Sequence, residues 1–288
     1  MKQRVRSLLS AVAMSLSLCA TTALASPVSH GGSIEDDVTR LIRDLPVPVV
    51  TKAPEKVPSV ALLIGNSYSF YNCGVHTYLR DLMQASTPQI GMKTRLLTIS
   101  SGSLTFHDVK HYLLPHELDP YGDKKDGALT HPMFDVVIMQ GHSAAATSEK
   151  RIPVFKRMVS EHAKTIREAG SEPLLVMTWP KENKPGELDK LAKNTIEAAN
   201  DAKIRVVPVG LAWAVAQKAL PEVKFYMPDH SHPTAAGTYL YAATLYAVLF
   251  HRPMSDLDVL GGCEKPLSPE VAKTLRDVAW ETVQVFER

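Results

Sequence analysis

A chain of 288 residues, 45% hydrophobic and 22% charged, suits one α/β domain, since domains of this class run to about 250 residues. Its formal net charge of +2 includes Lys2, Arg4 and Arg6, which belong to an N-terminal segment expected to be removed. Without those three the charge falls to −1, so composition offers no argument for nucleic acid or an anionic membrane as partner.

Residues 1–25 read as a signal peptide. Lys2, Arg4 and Arg6 make a basic start, Leu8 to Leu18 an apolar stretch, and Ala23-Leu24-Ala25 a small-residue cleavage site before Ser26. The stretch is shorter than the roughly 20 residues a membrane span needs. Cys19 is preceded by Leu18 where a lipoprotein anchor expects a small residue, which disfavours lipidation. The product is expected to be periplasmic or secreted, with no stable membrane insertion. Two cysteines then remain, Cys73 and Cys263. An oxidising compartment allows them to pair, but spacing alone leaves open two small buried hydrophobes instead.

Residues 26–56 read as a polar N-terminal extension with one short helix, Ile34 to Leu45, behind Ser33 as N-cap. Residues 57–288 read as a single domain. Val60–Ile64, Arg95–Ile99, Asp135–Met139, Leu174–Met177 and Ile204–Val207 are short apolar runs without strict alternation, the pattern of strands covered on both faces. Helical spacing joins Val75, Leu79 and Leu82. It joins Phe155, Val159, His162 and Ile166, then Ala236, Leu240, Ala243, Ala247 and Phe250, then Val271, Leu275 and Val278. Five strands alternating with helices predict a parallel sheet in three layers with right-handed crossovers. Ligands on such sheets bind beyond the carboxyl ends of the strands, where Ser67 and Gln140 fall. Pro115 to Pro132 reads as a polar loop or partial lid, and its Asp119, Asp123 and Asp126 fit a calcium loop poorly.

Two stretches carry chemistry. Gly65-Asn66-Ser67-Tyr68-Ser69 follows the first strand, and Asp229-His230-Ser231-His232-Pro233 precedes the last core helix but one. A serine hydroxyl is a poor nucleophile until a base takes its proton. His232 is the candidate base, and Asp229, three residues earlier, can reach its other ring nitrogen. Pro233 suits the first position of the following helix, and His230 is expected to point to the rim. His107 and His111 sit four apart, but no third ligand accompanies them, so a solvated helix face is expected and no metal or cofactor. His162 lies on an apolar stripe and reads as a satisfied core histidine. Tyr68, His76 and Trp179 are candidates to shape a pocket.

These two blocks, in this order and placement, resemble the SGNH hydrolases, also called GDSL-type esterases and lipases. The nearest branch has a Gly-Asn-Ser-aromatic-Ser/Thr first block, which Asn72 also fits. The resemblance covers roughly residues 57–255. It implies a flavodoxin-like three-layer sandwich with a parallel five-stranded sheet and helices on both faces. It also implies a serine esterase acting through an acyl-enzyme on Ser67, with a small-molecule or glycan ester as substrate. The implied oxyanion hole takes the N–H of Ser67, that of Gly102 and an amide side chain after the third strand. There the chain departs from the family's Gly-x-Asn-Asp, having Gln140-Gly141-His142-Ser143. Gln140 is the favoured third donor and His142 the alternative; Tyr68, His142 and Trp179 are the expected substrate contacts. The altered block leaves a rival reading, a non-catalytic carbohydrate- or ligand-binding protein on the same fold. A Gly-x-Ser-x-Gly hydrolase is excluded, because Ser69 stands where the second glycine belongs. Oligomeric state is left open.

Overall fold

The computed structural model describes residues 32–53, 56–114 and 132–288, and the backbone of a short hairpin pairing Lys124–Lys125 with Ala128–Leu129. The expected signal peptide and most of the loop between Pro115 and Pro132 lie outside the described residues. Among those described, no helix is long and apolar enough to cross a membrane.

The expected three-layer α/β sandwich forms. Five parallel strands, β1 (Val60–Gly65), β2 (Lys93–Thr98), β3 (Val136–Gln140), β4 (Glu172–Val176) and β5 (Arg205–Val207), lie in the order β2-β1-β3-β4-β5. That is the flavodoxin-like order, whose switch point lies between β1 and β3. The register sets Gly65 beside Thr98, and Gln140 beside Val176. The strands therefore end together, and the loops after β1, β2 and β3 share one rim.

Alternation along the strands builds two cores. Ala61, Leu63, Val136 and Ile138 face one way with α3 (Val75–Ala85), α7 (Val209–Ala219), α8 (Ala235–Phe250) and α9 (Pro269–Phe286). Leu62, Ile64, Val137 and Met139 face the other way with α4 (Val109–Tyr112), α5 (Ile152–Glu168) and α6 (Leu188–Ala202). α8 is buried around nearly its whole circumference, which explains its uniformly apolar composition. β2 departs from the expected double burial: at the sheet edge, its Lys93, Arg95 and Leu97 are exposed. α1 (Ile34–Ile42) begins behind a capping box in which Ser33 and Asp36 serve each other's backbone N–H. It packs on α7 and α9 and buries Val38.

Cys73 and Cys263 are joined in a disulfide, with Cα atoms 5.6 Å apart. Arg205, nearly fully buried on β5, donates to Glu172 at 2.8–2.9 Å and to the carbonyl of Val248 at 2.7 Å. A buried guanidinium without such partners would be costly.

Candidate active site

The chain leaves β1 at Gly65 and turns at once into α2 (Ser67–Phe70), so Ser67 is the first helical residue. Asn66 makes the turn. Its Oδ1 accepts from Tyr68 N at 3.0 Å, capping α2, while its Nδ2 donates to Gly102 O at 2.9 Å and Gly141 O at 3.4 Å. One buried side chain thus ties together the loops after β1, β2 and β3. Gly65 permits the approach: a Cβ there would lie 2.5 Å from Gln140 Oε1.

The second stretch comes to the same rim. Ser67 Oγ lies 2.7 Å from His232 Nε2, and His232 Nδ1 is hydrogen-bonded to Asp229 Oδ2. Asp229 Oδ1 accepts from the amides of Ser231 (3.0 Å) and His232 (2.9 Å), so acid and base form one closed turn. Partial burial would push the Asp229 carboxyl up. The hydrogen bonds from the imidazole and the two amides, and the imidazole charge, outweigh this and hold its pKa at about 2. An ionised Asp229 accepts the Nδ1 proton and leaves Nε2 free to receive one from Ser67. His230 turns away at φ +58° and contacts Glu182 at 2.5 Å on the surface. The helix after this motif starts later than expected. Thr234 is the N-cap of α8, while the Pro233 carbonyl accepts from Asn72 Nδ2 at 2.7 Å.

An aromatic stack supports the histidine turn from below. Trp179 is fully buried between Tyr68 (ring centroids 4.5 Å apart) and Trp213 (4.1 Å), both nearly parallel to it. Trp179 Nε1 donates to Ser231 O at 3.1 Å, and the Tyr68 hydroxyl meets Ser231 Oγ at 2.7 Å. Tyr68 and Trp179 were expected to contact substrate. The structure instead makes them supports of the 229–232 turn, because their polar ends are directed at Ser231. Tyr71 was missed by sequence reasoning, although it follows the first motif closely. Its ring stacks on that of His232 at 4.2 Å and 14°.

The oxyanion side also differs from expectation. Gln140 is buried, its Oε1 accepting from Asn66 N at 3.0 Å and Ser69 Oγ at 3.1 Å, its Nε2 directed to Gly141 O. Its amide is consumed in bracing the serine loop. The Gly102 N–H is likewise spent, donating to Ile99 O at 2.8 Å. Glycine is required there by that turn, since a Cβ would come within 2.8 Å of the Ile99 carbonyl. The Ser67 N–H, at the first position of α2, has no acceptor within its helix. His142 is half-buried at the same rim and lines a cavity of about 280 Å³ together with Ser101 and Ser103. Its Nδ1 accepts from Ala144 N at 3.0 Å, and Arg151 Nη1 lies across the ring edge, 2.7 Å from Nδ1 and 3.2 Å from Nε2. Burial, then Arg151 and Lys181, lower its pKa below the usual histidine value.

His107 and His162 serve the scaffold. His107 is buried rather than on a solvated helix face, its Nε2 meeting Gly65 O at 3.0 Å. His162 is buried with Nε2 2.8 Å from Leu104 O. His76 lies on α3 and does not line the cavity. No cluster able to hold a metal ion occurs among the described residues.

No protein-family model matches this chain, and no curated protein matches its sequence. Among solved structures, its fold is shared by a DUF4886 family protein from Bacteroides uniformis. The TM-score is 0.55 at 19% identity, over 78% of this chain and 94% of that one. A proposed SGNH hydrolase from Slackia heliotrinireducens aligns over 66% of this chain and 98% of its own, with 22% identity and a TM-score of 0.45. An acetylxylan esterase from Geobacillus stearothermophilus covers 70% and 97%, with 14% identity and a TM-score of 0.45. At 19% identity the likeness to the DUF4886 family protein is one of fold.

Proposed function

We propose that this protein is an exported serine hydrolase of the SGNH type that cleaves carboxylic esters. The carrying observation is the contact of Ser67 Oγ with His232 Nε2 at 2.7 Å, backed by Asp229 on the other ring nitrogen. Ser67 attacks the ester carbonyl as His232 takes its proton, and Asp229 stabilises the imidazolium that forms. The Ser67 N–H donates to the oxyanion, and His142, half-buried at the same rim, is the side-chain donor in place of the engaged Gln140 amide. His232 then protonates the leaving alkoxide. Water, activated by the same imidazole, hydrolyses the acyl-enzyme and frees Ser67. No metal or cofactor takes part in this scheme. Export is supported by the disulfide, which needs an oxidising compartment to persist, and by the basic and apolar N-terminal segment. N-terminal sequencing of the product should begin at Ser26.

A fluorophosphonate probe tests the chemistry. The protein should form one adduct, lost in Ser67→Ala, and hydrolysis of aryl acetates should fall by roughly 10⁴-fold in Ser67→Ala or His232→Ala. A folded protein with neither adduct nor turnover refutes the proposal. The engaged Gly102 and Gln140 donors favour one rival, a carbohydrate- or ligand-binding protein without turnover. Glycan binding that survives Ser67→Ala without hydrolysis would select it.

A further inference from the structure

The cavity of about 280 Å³ is not lined by Ser67 or His232 themselves but by the loops after β2 and β3 and by α5. Ser101 and Ser103, which flank Gly102, and His142, which follows Gly141, line it. Asn66 holds the carbonyls of both those glycines, so the cavity begins at the loops tied to the nucleophile. Its volume is at the small end for ligand pockets, suited to a short arm of a substrate. The inner wall is apolar, made by Leu104, Val154, Phe155 and Met158, and Phe106 stands at the mouth with 62% of its surface exposed.

Among the described residues, the charged side chains at this cavity are all of one sign: Lys150 and Arg151 line it, and no described aspartate or glutamate does. Neither cation has a carboxylate partner among the described residues, and the adjacent carboxylate, Glu149, pairs with Lys190 instead. Lys181 adds its field at His142. Cations without a carboxylate partner beside an apolar wall favour an anionic group over a neutral one, because hydrogen bonds between two ionised groups add full charge attraction.

We infer that the site selects esters in which a short apolar arm ends in an anionic group, a carboxylate in the simplest case, held by Lys150 and Arg151. This rests on the hydrolase reading above. The carboxylate can belong to the acyl or to the alcohol half of the ester, and two probe pairs separate these sources. The first compares the 4-nitrophenyl monoester of glutaric acid with its methyl-capped diester. The second compares 4-acetoxybenzoate with methyl 4-acetoxybenzoate.

In at least one pair, kcat/KM for the charged ester should exceed that for the neutral one by about ten-fold. The preference should shrink as salt is raised. Lys150→Glu with Arg151→Glu should abolish or invert it, and Lys150→Gln alone should reduce it, each at an unchanged melting temperature. Equal kcat/KM within both pairs, or a preference indifferent to these substitutions, overturns the inference while leaving the hydrolase reading intact. Absence of both turnover and a fluorophosphonate adduct overturns the two together.

Discussion

The ring of Tyr71 lies face to face with that of His232, centroids 4.2 Å apart and planes 14° from parallel. During attack by Ser67 the imidazole becomes a cation, and an aromatic face within about 6 Å favours a cation by roughly 0.5–2 kcal/mol. Tyr71→Leu should therefore lower kcat about three- to ten-fold with little change in KM, and Tyr71→Phe should restore it. Steady-state kinetics on an aryl acetate decide this. Equal losses in the leucine and phenylalanine variants would remove the stack from the mechanism.

Asn66 is suited to its place because an amide donates where a carboxylate only accepts. Asn66→Asp keeps the α2 cap but loses the bonds to Gly102 O and Gly141 O, setting negative charge against two carbonyl oxygens. The expected loss is about 1–3 kcal/mol in denaturant unfolding, with a fall in activity as the three loops separate.

The Cys73–Cys263 bridge closes a loop of 190 residues. Loop-closure arguments credit such a link with about 5 kcal/mol, acting through the unfolded chain. Cys263→Ser should lower the melting temperature substantially, and reductant should do the same to the unmodified protein but not to the variant. Because Asn72, next to Cys73, holds the Pro233 carbonyl, activity should be lost in step with the bridge.

Glu287 gives stability a pH dependence far from the site. Burial pushes its carboxyl up to about 8, against the pull of Arg205. Its folded-state pKa exceeds the unfolded value of 4.5, so the folded protein holds a proton that the unfolded chain has released. Stability contributed by this group is intact below about 4.5 and declines as pH rises towards 8. Glu287→Gln should melt higher than the parent at pH 9 and nearly together with it at pH 4. A difference independent of pH would assign the effect to packing.

The strands and the three-layer arrangement were legible because short apolar runs with turn residues between them are local signals. The nearness of the two motifs was legible too, since both fall at strand ends that a parallel sheet must bring to one rim. The directions of side chains were not. Gln140 has the right chemistry for an oxyanion donor, but Gly65 admits it so closely that its amide is committed to Asn66 and Ser69. Gly102 suggested backbone access, whereas its amide closes a turn on Ile99. Trp179 followed a strand end, as a pocket residue would, yet Trp213 from α7 and Tyr68 from α2 enclose it. Such outcomes depend on contacts between segments far apart in the chain, which no local pattern encodes. β2 was drawn too apolar because nothing in the run Arg95–Ile99 says that it will lie at an edge.

The Tyr68–Trp179–Trp213 stack gives the molecule an optical gauge of its own. Of three tryptophans in the chain, two lie in that stack, and the indole of Trp179 is hydrogen-bonded to the turn carrying the general base. Emission from this pair will respond when the turn swings or loosens. A Trp280→Phe background would darken the remaining indole and let one watch ligand arrival, inhibitor attachment or thermal loosening in real time, without a label.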